Sequence, residues 1–416
     1  MTEVATQPGL PAQAGSSSLK TYVHVPETKY DRESSLASLR ATSVLTSIDL
    51  LVDWADLVTL DLSLYDVPGG KQKLAEQLRD AVQNIGMQYI YTVQLSVYGE
   101  YQFMKSVLTG FFYIVNFGLS HEEIDRQFAI GKELFELPVE ERLKHRADLE
   151  AGNYNGYRPI GAIELFPGLR DNVELYNVFK FIPKYQRSHP DVIKRHYAEI
   201  ERFHRFVHEN IVYKLFRIIA TLLELPEDYL VNGHRYEGSS DCHLRYMIYR
   251  ARSPEENERY QNIYTRGHTD FGSLTLLFRQ PVAALQIKTP DGSWKYVKPL
   301  PNSITVNIAD ALQFWTNGFL KSSIHRVVAP PADQVHIDRL GVLYFVRPED
   351  GLDLKTVDSP LLRRLGLKKD DDDGEGSGIK AGDWVRKRVQ KNWDKPPAVQ
   401  TENFSLGSVK TRIFHE

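Results

Sequence analysis

His268-Thr269-Asp270-Phe271-Gly272-Ser273-Leu274-Thr275-Leu276-Leu277-Phe278 opens on an imidazole and a carboxylate and runs into apolar, β-branched and aromatic residues. That composition reads as a β-strand. Alternate side chains of a strand share a face, so a strand here aims His268 and Asp270 the same way. One imidazole and one carboxylate on a stiff backbone make two-thirds of a 2-His-1-carboxylate site. Such a site holds non-haem Fe(II) and leaves positions open for O2 and a co-substrate. By itself a His-x-Asp is more often a surface hydrogen-bonded pair, so the downstream sequence decides.

The strand-like Ser303-Ile304-Thr305-Val306-Asn307-Ile308 precedes Asp310 and the turn Thr316-Asn317-Gly318. Lys321 to Val328 is another alternating, β-rich run, and His325 within it can supply a third ligand. Asp338 to Pro348 reads as a further strand. Arg339 near its start carries a guanidinium that can clamp a carboxylate through two parallel hydrogen bonds.

Together these segments resemble the Fe(II)/2-oxoglutarate-dependent dioxygenases of the isopenicillin N synthase-like superfamily, most of all its filamentous-fungal branch. The matching pieces are His-Thr-Asp-x-Gly-x-x-Thr-Leu-Leu from His268, Gly292-Ser293-Trp294, Asn307-x-x-Asp310, Trp315-Thr316-Asn317-Gly318 and His325-Arg326-Val327. The resemblance spans most of Val58 to Pro348. It implies an α+β fold with a mainly β core, a distorted double-stranded β-helix (a jelly-roll barrel) with backing α-helices. It implies His268, Asp270 and His325 as ligands of Fe(II), and Arg339 as the anchor of the distal carboxylate of 2-oxoglutarate. Tyr249 matches a tyrosine that reaches the co-substrate; packing within the barrel is its other reading. The implied activity is oxidation of a small organic molecule by O2, by hydroxylation, desaturation or ring closure, with 2-oxoglutarate converted to succinate and CO2.

The family usually has Arg-x-Ser, and here Gly341 stands in the third position. A hydrogen bond to a charged group is worth roughly 1.5–3 kcal/mol. Its loss keeps open a 2-oxoglutarate-independent oxidase of the same superfamily. A catalytically inactive sensor with the same fold is a further alternative, opposed by the intact triad. Phe345 shares the strand face of Arg339 by even spacing, and Arg347 continues it; the resemblance makes both candidate substrate contacts. If Arg347 reaches the barrel mouth, an acidic or phenolic substrate is favoured; otherwise it caps the strand end. The loop Asn153 to Pro159 corresponds to one near the substrate mouth in the family. Tyr157 is therefore a candidate substrate contact, or a residue packing the turn onto the core.

The 416 residues are 42% hydrophobic, enough for a sizeable core, and the net charge of −3 offers nothing to nucleic acid or an anionic membrane. The one cysteine, Cys242, excludes an internal disulfide and fits a reducing compartment as a small buried residue. Met1 to Lys20 has neither a basic start nor an apolar core, and no run of apolar residues is long enough to span a bilayer. The cytoplasm is the expected location. The oligomeric state and the substrate are not legible.

Four regions are expected: a wrapping N-terminal extension over 1–56, its first 20 or so residues disordered, an N-terminal dioxygenase region over 57–235, an oxygenase core over 236–350, and a C-terminal extension over 351–416. The last contains the acidic linker Asp370 to Gly378 and a helix over Ala381 to Trp393. Leu57 to Ser63 alternates as a strand, and Lys71 to Ile85 has helical spacing. Ser120 and Glu123 form a capping box. Ile193 to Leu223 is expected as one long amphipathic helix whose aromatic residues are core. The segment 87–110, 24 residues, interrupts an expected Asn-Ile-Gly-Phe-Phe-Tyr. It is read as translated unspliced intron or another gene-model error, with a genuine loop or hairpin as the alternative.

Overall fold

The computed structural model describes residues 19–30, 52–83, 91–93, 101–103, 110–370, 373–374, 376–393, 403–406 and 409–412. In chain order its main strands are β1 (Thr59–Asp61), β2 (Phe111–Val115), β3 (Gly156–Arg158), β4 (Val173–Phe179), β5 (His243–Tyr249), β6 (Ile263–His268), β7 (Leu274–Phe278), β8 (Leu285–Lys288), β9 (Trp294–Tyr296), β10 (Ile304–Ile308), β11 (His325–Val328) and β12 (Arg339–Val346). An eight-stranded sheet runs β1-β2-β10-β7-β12-β5-β4-β3, and a four-stranded sheet runs β6-β11-β8-β9. Pairing within both sheets is antiparallel except for β1 with β2.

Alternation along each strand decides what lies on either face of the large sheet. On β12, Leu340, Val342, Tyr344 and Val346 enter the main core with the helices. Arg339, Gly341, Leu343 and Phe345 take the other face, towards the small sheet. Helices α1 (Gly70–Gln83), α2 (His121–Glu136), α3 (Tyr197–Phe206) and α4 (Tyr213–Leu222) supply the first face with Leu78, Phe128, Phe203 and Phe216, among others. Each fully buried side chain of this kind contributes about 1.5–3 kcal/mol. Phe111, Tyr113, Leu285, Ile287 and Val297 form one cluster between the sheets, and Val173, Tyr249, Tyr264, Ala284 and Val327 form another.

Helix α2 carries the expected capping box: Ser120 Oγ accepts from the Glu123 amide, and the Glu123 carboxylate accepts from the Ser120 amide. The expected long helix is interrupted. Between α3 and α4, Val207–Val212 forms a π turn. It coincides with buried His208, whose ring bonds Tyr344 Oη at 2.9 Å and the His234 carbonyl at 2.6 Å.

Where it is described, the chain before β1 packs against the rest of the domain. Tyr22 stacks on Phe128 of α2 and Thr28 donates to Asp333 at 2.8 Å. Two further helices bear on the site: α5 (Asp310–Trp315), between β10 and β11, and α6 (Ala381–Trp393), after β12. Trp384 of α6 is fully buried against Phe314 of α5. Within the 87–110 segment, Tyr91–Val93 pairs antiparallel with Tyr101–Phe103; most of the rest lies outside the described residues, as do the first 18 residues and most of 31–56. Among the described residues no helix is long and apolar enough to cross a membrane.

Candidate metal centre

Strand β6 ends at His268 and does not run on through Asp270, which corrects the single strand expected from His268 onward. Residues 269–273 instead turn from the small sheet to the large one. The cause is α5, whose first amides need acceptors. Asp310 N donates to the Asp270 carbonyl at 2.9 Å and Ala311 N to that of Gly272 at 2.8 Å. Ala309 N donates to Ser273 O at 3.1 Å. Asp270 is thus aimed by a helix N-terminus rather than by strand alternation.

His268 nevertheless meets both partners. It pairs across the strands with His325 on β11, and the two rings lie 4.3 Å apart. Asp270 Oδ1 is 3.9 Å from His268 Nε2, and Oδ2 is 3.9 Å from His325 Nε2. One atom from each residue lies within 4.8 Å of the other two, a spacing that can hold a metal ion. The Nδ1 of His268 faces the Arg266 carbonyl at 2.9 Å, and that of His325 faces the Ser323 carbonyl at 3.1 Å. Each Nδ1 therefore carries the proton and each Nε2 keeps its lone pair for the site.

The charges agree with that role. Burial, helped by neighbouring His325, holds His268 down to about 4, so its imidazole is neutral. Burial alone would raise Asp270. The His325 and His268 rings and hydrogen bonds from Asn307 and Thr275 outweigh it, and the carboxyl falls well below the usual range. Thr275 Oγ1 at 2.7 Å and Asn307 Nδ2 at 3.0 Å both donate to Oδ2. Two imidazoles and one carboxylate suit Fe(II).

Arg339 lies at the far end of the same sheet face, 5% exposed. Its Nε reaches only the Val282 carbonyl at 3.4 Å, and no carboxylate pairs with it among the described residues. Burial pushes it down to about 10. A cavity of about 20 Å³ opens beside it, lined in part by Leu277, Leu285 and Thr305. A buried guanidinium without a counter-ion fits a ligand carboxylate. Tyr249 pairs with Arg339 across the strands, its ring 5.7 Å from the guanidinium. Its hydroxyl is bonded to Thr265 Oγ1 at 3.1 Å.

Phe345 sits opposite Thr275 and so at the level of the triad. Arg347 is buried, its guanidinium 5.4 Å from Phe271 and 5.5 Å from Phe345. It points inward and does not cap an exposed strand end. Tyr157 is corrected. It faces the helix-side core, where its hydroxyl donates to Glu174 at 2.6 Å and Arg142 lies over its ring. Strand β3 pairs Tyr157 with Tyr176, and that register sets the face. The same loop reaches the inner side through Tyr154, whose ring packs on His243 and Phe179. Sequence reading also missed Arg245, which lies 4.2 Å over the Phe345 ring; its signal was a charge in the alternation of β5.

Two family profiles match the chain: the 2OG-Fe(II) oxygenase superfamily over residues 240–348, and the N-terminal region of non-haem dioxygenases in morphine synthesis over 106–201. The 2-oxoglutarate-Fe(II) type oxidoreductase ppzD of Metarhizium rileyi is 30% identical over 58% of this chain and 72% of its own. The chain belongs to the 2OG-Fe(II) oxygenase superfamily. As a member it is a non-haem iron dioxygenase that uses Fe(II) and 2-oxoglutarate. The UPF0676 protein C1494.01 of Schizosaccharomyces pombe is 33% identical over 67% of this chain and 84% of its own. The fold is shared with a full-length Neurospora crassa protein whose crystal structure is known in complex with alpha-KG. That match has a TM-score of 0.65 at 23% identity and covers 81% of this chain and 97% of the other.

Proposed function

We propose that this oxygenase oxidises a small organic molecule by hydroxylation or desaturation, releasing succinate and CO2 as co-products. The two sheets are read as the walls of a distorted double-stranded β-helix. His268, Asp270 and His325 would hold the iron; the observation that carries this reading is their convergence within 4.8 Å. Arg339 would take the distal carboxylate of 2-oxoglutarate, with Tyr249 packed beside it. When bound, iron and 2-oxoglutarate supply the oxidising chemistry.

The chain's own contribution is orientation and exclusion. Thr275 and Asn307 fix the Asp270 carboxylate, and the Ser323 and Arg266 carbonyls fix the two imidazoles, so the donor set needs little rearrangement on loading. Phe345, Leu343 and Met247 line the inner face of the large sheet and keep water from the reacting C–H bond. A small-molecule substrate is in keeping with the Neurospora crassa protein, whose structure is also known with thymine.

Anaerobic addition of Fe(II) and 2-oxoglutarate tests the assignment. A metal-to-ligand charge-transfer band is expected in the visible, lost in His268→Ala and strongly weakened in Arg339→Ala. An unchanged band in Arg339→Ala removes that residue from its role; no band in the parent protein removes the assignment itself.

A further inference from the structure

The sheet face that carries Arg339 carries a second guanidinium at its opposite end. Arg347 follows eight residues later, about 26 Å along an extended strand. The triad lies between these levels, because Phe345 pairs with Thr275, which holds Asp270. A five-carbon diacid anchored at Arg339 cannot also reach Arg347.

Arg347 is 4% exposed, and its Nε and Nη1 have no hydrogen-bond acceptor. It makes no ion pair among the described residues. Arg245 shares the Phe345 ring with it and meets only neutral acceptors: Asn177 Oδ1 at 2.8 Å and His243 Nε2 at 3.3 Å. Burial and then Arg347 push Arg245 down to about 10, while Asp270 pulls it up, so Arg245 feels both the second guanidinium and the triad. The hydroxyl of buried Tyr154 makes no hydrogen bond of normal geometry and lies beside the Arg347 guanidinium. Asp241 feels Arg347 but makes no ion pair with it: burial and then Asp350 raise its carboxyl, and it accepts from Tyr185 at 3.2 Å; Asp270 belongs to the triad. Two buried positive charges around one aromatic ring, with no ion pair among the described residues, are costly unless a ligand supplies the negative charge.

We propose that Arg347 and Arg245, with the Tyr154 hydroxyl, form the subsite that recognises the primary substrate, and that this substrate is an organic acid held by its carboxylate. A carboxylate matches the fork of a guanidinium. Phe271 and Phe345 offer an apolar wall to the rest of the molecule. The reading rests on the oxygenase assignment above, and Arg339 remains free for the co-substrate.

The test begins with protein saturated anaerobically with Fe(II) and 2-oxoglutarate, whose visible band reports on the oxygenase assignment alone. Aryl and alkyl monocarboxylates, from benzoate to phenylbutanoate and from acetate to dodecanoate, are then titrated, each against its primary amide. Calorimetry reads affinity, and the shift of the ligand-field bands reads proximity to the metal. At least one acid is expected to bind about tenfold or more tightly than its amide, the weight of one charged hydrogen bond. Arg347→Gln should erase that preference and Arg347→Lys restore part of it; Arg245→Gln gives the same reading if the first variant does not fold. The proposal is overturned if no acid outbinds its amide, or if the preference survives both glutamine substitutions. A missing visible band with an intact acid preference would instead sink the oxygenase assignment and leave the anion subsite standing.

Discussion

Gly272 and Arg347 compete for one volume. A β-carbon on Gly272 would lie 3.0 Å from Arg347 Cδ, closer still to its Nη1, and against the Val346 carbonyl. The glycine two residues after Asp270 is therefore what lets a guanidinium pack behind the metal-ligand turn. Gly272→Ala is expected to cost about 1–3 kcal/mol in denaturant unfolding, as overpacking does. In an Arg347→Ala background the cost should fall by about 0.5 kcal/mol or more, the signature of residues in contact. Strict additivity would mean that the clash with the Val346 carbonyl carries the whole cost.

The Asp270 carboxylate is held by two donors that never touch a metal themselves. Thr275→Val and Asn307→Ala each remove one hydrogen bond to Oδ2. Such outer partners typically govern about 10–100-fold in metal affinity. Fe(II) titration, carried out well below each variant's unfolding midpoint, should show a loss of that size in each, beside the stability cost of removing a buried hydrogen bond. An unaltered Fe(II) affinity in both would mean the carboxylate needs no orienting.

The sites legible in sequence were those whose neighbours obey a period. His325 and Arg339 stand in alternating β-rich runs, and both emerge on strands, β11 and β12. Asp270 was legible as a residue but not as a geometry, since its turn is imposed by the amides of α5, some 40 residues downstream. Tyr157 failed for a related reason. A three-residue strand carries no period, so only its register against Tyr176 decides which face it shows. Arg245 was passed over because one charge in an alternating strand reads as a solvent-facing residue until a second sheet covers it. The π turn has no sequence signature; the ties of His208 to Tyr344 and His234 accompany it.

Gly341 has room for the serine that the family usually carries. A β-carbon there meets Leu343 Cδ1 at 3.4 Å and the Met247 carbonyl at 3.9 Å, both ordinary contacts. Gly341→Ser should therefore fold normally. A hydroxyl beside a carboxylate held by Arg339 adds roughly 1.5–3 kcal/mol, so the midpoint of the 2-oxoglutarate titration should fall by about tenfold. No change would place the co-substrate carboxylate away from residue 341.

His189, His204, His208, His234 and His243, outside the metal centre, are buried and held below the usual histidine range by that burial. Burial holds His189 and His208 down to about 4 and His234 to about 3. Their unfolded pKa is about 6.5, so between these values the unfolded chain binds more protons than the folded one. Their contribution to stability is complete above pH 6.5 and is lost as pH falls towards 4. Each unit of depression is worth about 1.4 kcal/mol. For metal-free protein, to which His268 adds a slope of the same sign, the urea midpoint should be flat from pH 8 to 7 and drop steeply between 6.5 and 4.5. A midpoint unchanged to pH 4.5 would show that these rings find protonated alternatives.

Gly110 gives the 87–110 segment a physical test. Its φ is +90°, and a β-carbon there would meet the Lys321 carbonyl and lie 2.9 Å from Ser323 Oγ, next to His325. Its own carbonyl accepts from Ile308 N at 2.8 Å. The position before Phe111 thus favours glycine on backbone and steric grounds alike. Deleting 87–110 joins Gly86 to Phe111 and puts a glycine in that place again. We propose that the segment is translated intron or another gene-model error and not part of the working fold. The deletion variant should then express solubly, unfold at the same or a higher temperature, and give the Fe(II)/2-oxoglutarate band. Loss of soluble protein in the variant, with the full chain well behaved, would show that the segment pairing Tyr91–Val93 with Tyr101–Phe103 is a genuine element of the domain.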